Sequence, residues 1–112
     1  MSSVRVFFPK FDLEDVVDEV KRIVSVFSKQ LALEKVVLFG SYAKNKHTVG
    51  SDIDLFIIFD DLRCTEDSVY KTLMKNIRLP RVELHILSGK DYLLMRNSKW
   101  IREIEAEGVK IF

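Results

Sequence analysis

The longest uninterrupted apolar run in the chain is residues 55–59, Leu-Phe-Ile-Ile-Phe, and it follows Ser51-Asp52-Ile53-Asp54 without a break. Five residues fall far short of the roughly 20 that a membrane-spanning helix needs. Their length and their aromatic and β-branched content suit a buried strand instead. A buried strand must be covered by other elements, and the rest of the chain has the periodicity to supply them. Leu13, Val16, Val17, Val20, Ile23, Val24, Phe27 and Leu31 recur at three- and four-residue spacing, one apolar stripe of a helix. Asp12 is placed to cap it, with Glu14 and Asp15 suiting the positive end of its dipole. Residues 36–39 form a second short buried strand closed by Gly40, and Ser41 is placed to cap a short helix over 42–45. Thr65 caps a helix that carries Val69, Leu73, Met74 and Ile77 and is stopped by Pro80. Residues 81–87 alternate polar and apolar, the period of a half-buried strand. Tyr92, Leu93 and Met95 indicate a short helix after Gly89. Ser98 caps another that carries Trp100, Ile101 and Ile104 and ends at a C′ glycine, Gly108. Residues 109–112 read as a last short strand, and residues 4–8, before Pro9, as a strand or an ordered arm. Strands interleaved with helices make the chain α/β (α+β).

Composition narrows the function classes. The chain has 112 residues, 47% of them hydrophobic, with eight Phe. A chain of this size buries roughly 65% of its unfolded surface, enough for one core. A single domain over 1–112 is expected, and a two-domain enzyme and a disordered chain are both excluded. One cysteine, Cys64, forms no intramolecular disulfide. Arg5 and Lys10 interrupt the start, so no secretory segment is expected there, and the expected location is cytoplasmic. The formal net charge of +1 gives no general case for nucleic-acid or membrane binding. It does conceal segregation: six acids and one base lie in 52–67, and eight bases and two acids in 71–102.

The chemistry is concentrated between Leu38 and Leu55. Asp52 and Asp54 are spaced i, i+2 on a strand, so both carboxylates leave the same face, while Ile53, Leu55, Ile57 and Phe59 leave the other. An Asp-x-Asp pair by itself most often marks the solvent-facing start of a strand. Here it stands at the mouth of a buried strand, where desolvation and mutual repulsion favour a bound cation. A hard ion such as Mg²⁺ takes such oxygen ligands. Gly40-Ser41 closes the preceding strand, and a turn there offers backbone N–H groups and a hydroxyl to phosphate. Ser41 and Asp52 are separated by ten residues. If the end of the first strand meets the start of the second, the two are antiparallel neighbours and phosphate donors sit beside the carboxylates. If residues 81–87 pair with the second strand, Glu83 joins Asp52 and Asp54 on the polar face. Three carboxylates around two metal ions are what in-line phosphoryl or nucleotidyl displacement uses. His85 shares the Glu83 face, where it either orients a substrate or is simply a polar strand position. His47 is expected at the surface and Tyr42 in packing. Tyr92, Met95 and Trp100 are expected in the core or at a partner interface.

Gly40-Ser41, ten residues, then Asp52-Ile53-Asp54 resembles the Gly-Ser-x10-Asp-x-Asp signature of the polymerase-beta-like nucleotidyltransferase superfamily. The wording Leu-Phe-Gly-Ser-Tyr-Ala and Ser-Asp-Ile-Asp-Leu, the first helix and the Gly108-Val109 ending are most similar to the minimal nucleotidyltransferases, antitoxins of the MntA type. The resemblance implies a small mixed β-sheet with flanking helices. It implies that Asp52, Asp54 and Glu83 are the catalytic and metal-binding carboxylates, holding two Mg²⁺ ions, with Mn²⁺ as a substitute. Gly40, Ser41 and Lys44 would bind the triphosphate of ATP or another NTP. The implied reaction moves NMP, most often AMP from ATP, to a hydroxyl of a partner protein, and the implied partner is a HEPN-domain RNase that the chain neutralises. Two departures bear on rate and nucleotide preference. Ala43-Lys44-Asn45 stands where the family usually has Ala-Arg-Gly, so Lys44 keeps the charge without the guanidinium fork, and Asn45 takes a left-handed position. Glu83 stands where the third acid is often Asp.

A second reading is a non-catalytic module that neutralises a HEPN partner by complex formation alone. A small-molecule transferase of the same superfamily is expected to need an added acceptor-binding domain. No membrane contact and no direct nucleic-acid binding are expected, and self-association is left open.

Overall fold

The computed structural model describes residues 11–48 and 50–112; the strand or arm expected at 4–8 lies outside them. Helix α1 (Leu13–Phe27) leads into β1 (Leu33–Phe39) and β2 (Ile53–Phe59). Helix α2 (Glu66–Asn76), β3 (Val82–Ser88), α3 (Gly89–Met95), α4 (Lys99–Glu107) and β4 (Val109–Lys110) follow. The strands form one mixed sheet in the order β3-β2-β1-β4. β1 is antiparallel to β2 and to β4, and β2 is parallel to β3 across the α2 crossover.

The helix starts follow the local chemistry of the sequence. Asp12 accepts from the Asp15 N–H at 2.8 Å, and the Asp15 carboxylate accepts from the Asp12 N–H, a closed capping box. Thr65, Ser88 and Ser98 cap α2, α3 and α4 in the same sense. The ends are less regular. α2 stops at Asn76, ahead of Pro80, because Ile77 turns to extended backbone while its N–H still bonds Leu73. Gly108 is the cap of α4 and not a left-handed C′ residue: its φ is −78°. It is glycine for another reason. A Cβ there would fall 2.5 Å from the Ile104 carbonyl oxygen and strike Val37, where α4 turns back to lay β4 against β1.

β2 is buried at every position but Asp54 because both sheet faces are covered. On one face Ile53, Leu55, Ile57 and Phe59 meet Val16, Val20 and Ile23 of α1 and Val69 and Leu73 of α2. On the other, Phe56 and Ile58 pack with Val37 of β1 and with Ile101 and Ile104 of α4. That second face is apolar only from Phe56 onward; its leading end carries Asp54. A partly buried polar cluster ties its helices to the sheet. Lys35 of β1 pairs with Glu105 of α4, and the Tyr92 hydroxyl of α3 donates to Glu105 at 2.8 Å. Burial pushes the Glu105 carboxyl up, but the bonds from Lys35 and Tyr92 outweigh it and hold the group below its ordinary value. The bond to Glu105 raises Lys35.

Two outcomes are expected. Phe56, fully buried, should cost about 3–5 kcal/mol when replaced by Ala. Leu62→Ala, at a site 92% exposed, should stay within about 0.5 kcal/mol, both read by urea denaturation. Glu105→Gln should destabilise at neutral pH. Because the folded carboxyl is depressed, the stability it adds is present above its unfolded value and fades as pH falls through the folded one. The gap between the two proteins should therefore close in acid.

Candidate active site

The site is built by strand register. Asp54 lies opposite Phe39 on β1 and opposite Glu83 on β3. Because side chains alternate along a strand, His85, two residues beyond Glu83, returns to the same face. The result is a tight group in which ligand atoms of Asp54, Glu83 and His85 all lie within 4.8 Å of one another. His85 Nε2 is 3.4 Å from Asp54 Oδ1 and 3.6 Å from Glu83 Oε1. The Asp54 and His85 side chains are mostly buried, at 23% and 28% exposure, while Glu83 is open to solvent at 57%.

Aromatic rings wall this group on one side. Phe39 meets the His85 ring edge-to-face at 5.1 Å between centroids, and Trp100 of α4 meets it at 5.8 Å. Phe39 and Trp100 also touch each other in T-shaped geometry. A cavity of about 150 Å³ opens between them, lined also by Gly40, Lys44, Glu103, Ile104 and Glu107.

Gly40 lies close against the Asp54 carboxylate. Its φ is +82°, and a Cβ built on it would lie 2.6 Å from Asp54 Oδ2. Glycine takes this turn against Asp54 without the strain and contact a side chain would bring. Beyond it, residues 41–45 form successive hydrogen-bonded turns and not the regular short helix expected from Ser41. Lys44 N–H donates to Gly40, Asn45 to Tyr42 and Lys46 to Ser41. Those bonds leave the N–H groups of Ser41, Tyr42 and Ala43 without a backbone acceptor among the described residues. Asn45 has φ +55°, the left-handed conformation expected of it. Tyr42 is buried and stacks on His47 at 4.0 Å, so it packs beneath the turn. His47 is half-buried against it.

The remaining sequence candidates are placed as follows. Asp52 stands one residue ahead of β2, half exposed, with Oδ1 3.5 Å from Arg81 Nε. It does not join the Asp54–Glu83–His85 group. Arg81, at φ +55°, is a turn residue before β3 and not its first strand position. Lys44 lies on the cavity rim with its Nζ 3.1 Å from Glu107 Oε1, both side chains about half exposed. His85 completes the group where sequence reasoning expects a third carboxylate; its signal was its i+2 spacing from Glu83.

Chemically, two carboxylates and an imidazole converging on one point, with glycine backbone against them, form a set of donors suited to a divalent ion. The close approach of Gly40 to Asp54 brings the start of the turn to that point. Both features fit a metal-assisted phosphate chemistry.

The family described as Polymerase beta, Nucleotidyltransferase matches residues 21–112 of the chain. Among solved structures, the fold is similar to that of a Sulfolobus solfataricus protein provisionally described as a nucleotidyltransferase. The TM-score is 0.59 at 20% identity, covering 88% of this chain and 80% of that one. At that identity the likeness establishes the fold, a mixed four-stranded sheet with flanking helices. No curated protein sequence matches significantly. No helix among the described residues is long and apolar enough to cross a membrane.

Gly40→Ala is expected to cost about 1–2 kcal/mol from the left-handed backbone alone, and more from contact with Asp54. Gly50→Ala, where a Cβ meets nothing within 4 Å, is the matched control and should be close to neutral. Denaturation midpoints of the two variants decide the point.

Proposed function

The chain belongs to the polymerase-beta nucleotidyltransferase family, and on that premise we propose that it transfers AMP from ATP to a hydroxyl of a partner protein. The observation that carries the reading is the convergence of Asp54 and Glu83 across the β2–β3 pair, beside the turn at Gly40-Ser41. In this reading Asp54 and Glu83, with Asp52 swung in from its exposed pair with Arg81, hold the divalent ions. An exposed ion pair of that kind contributes little to stability and exchanges readily. Bound Mg²⁺ supplies neutralisation of the triphosphate and acidification of the acceptor hydroxyl.

The turn holds the β- and γ-phosphates through its N–H groups and the Ser41 hydroxyl. Lys44 reaches the triphosphate by exchanging its exposed partner Glu107. The acceptor oxygen forms a bond to the α-phosphorus as the bond from that phosphorus to the α–β bridging oxygen breaks. Pyrophosphate leaves, and Glu83, the most exposed carboxylate of the group, takes the acceptor proton. For the acceptor, exposed Leu93, Leu94 and Met95 on α3 and half-exposed Trp100 beside the site favour a protein surface. A HEPN-domain RNase neutralised by this modification is the setting the sequence resemblance supports.

With Mg²⁺, α-labelled ATP and a candidate HEPN protein, label should appear on that protein. Asp54→Ala should reduce transfer by about a hundredfold or more while the variant stays folded by circular dichroism. Absence of label with any of the four NTPs would contradict the proposal. Neutralisation of toxicity by Asp54→Ala without transfer would favour binding alone.

A further inference from the structure

We propose that His85 is a ligand of the divalent ion at this site and biases it towards first-row transition-metal ions over Mg²⁺; the proposal rests on the nucleotidyltransferase reading above. The sequence pattern leads one to expect three carboxylates at the site. The structure places two there, and the third ligand atom in the group is the imidazole nitrogen of His85. Asp52 is turned to Arg81 and reaches the group only by leaving that exposed pair.

The placement of His85 is held from several sides. Its backbone is fixed opposite Phe56 in the parallel β2–β3 register. Its ring is set edge-to-face between Phe39 at 5.1 Å and Trp100 at 5.8 Å, which leaves Nε2 facing Asp54 and Glu83. Separations of 3.4 and 3.6 Å from those oxygens are a few tenths of an ångström wider than the roughly 3 Å between adjacent ligands at bond lengths of about 2.1 Å.

Ligand chemistry then sets the preference. Mg²⁺ demands oxygen ligands in near-ideal octahedral order and dehydrates reluctantly. Imidazole nitrogen is a borderline donor that first-row ions accept more readily than Mg²⁺ does, Mn²⁺ the least of them and Cu²⁺ and Zn²⁺ more strongly. A site in which an imidazole stands beside the carboxylates therefore favours those ions more than a site of carboxylates alone does.

The test uses the full chain with Mn²⁺ and tripolyphosphate, a triphosphate that carries no nitrogen of its own. Pulsed electron paramagnetic resonance of the bound Mn²⁺ should show ¹⁴N modulation in the natural protein and none in His85→Gln. Trp100, the chain's one tryptophan, reports binding by its fluorescence. The ratio of Mn²⁺ to Mg²⁺ affinity should fall about tenfold or more in His85→Gln. Bound Mn²⁺ without nitrogen coupling, or a ratio unchanged by the substitution, would overturn the role of His85 and leave the nucleotidyltransferase reading standing. If neither ion binds alongside tripolyphosphate, both are overturned.

Discussion

Two carboxylates and an imidazole stand within 4.8 Å of one another because β2 pairs antiparallel with β1 on one side and parallel with β3 on the other. The register puts Phe39, Asp54 and Glu83 in one row across the sheet. A slip of one residue in either pairing would turn every side chain of that strand to the opposite face. Such a slip would bury the acids against α1 and α2 and expose Leu55 and Ile57. The unbroken apolar face of β2 is thus what fixes the register: burial of Ile53, Leu55, Ile57 and Phe59 on one face leaves Asp54 no choice but the other. The hydrophobic effect acting on four large side chains, about 1.5–3 kcal/mol each, holds the charged group in place.

The same economy extends to the turn. Gly40 ends β1 where the carboxylate of the next strand occupies the space a Cβ would need. The backbone can therefore come close to the carboxylate-bearing face, and the N–H groups that follow bond no backbone acceptor among the described residues. Asn45 closes the turn in the left-handed conformation, and buried Tyr42, stacked on His47, supports it from below. The second sheet face is in this way divided along its length. Its far part is core, under Ile101 and Ile104 of α4, and its near end is polar, under the edge of Trp100.

Much of this was legible in the residues. Asp12, Thr65 and Ser98 mark helix starts because a side-chain oxygen one residue before an apolar period has few other uses. The strands announced themselves by unbroken apolar runs or by alternation, and the i, i+2 rule placed Asp54 and Glu83 on the face where they are found. What was not legible depended on contacts far apart in sequence. α2 ends at Asn76, ahead of Pro80, where Ile77 turns to extended backbone. Gly108 is required by its closeness to Val37 and the Ile104 carbonyl, and its place in the sequence alone pointed to a left-handed cap. The pair between Asp52 and Arg81 joins residues either side of α2. His85 was visible as a neighbour of Glu83, but its approach to Asp54 follows from the parallel register, which one strand's pattern cannot supply.

The position of the ion tests the central claim most directly. Crystals grown with Mn²⁺ and a non-hydrolysable ATP analogue, measured near the manganese absorption edge, would give that position by anomalous diffraction. The account predicts a peak bonded to Asp54 and Glu83, with the triphosphate against Gly40 and Ser41. A peak away from both carboxylates, or a triphosphate bound elsewhere on the fold, would contradict it.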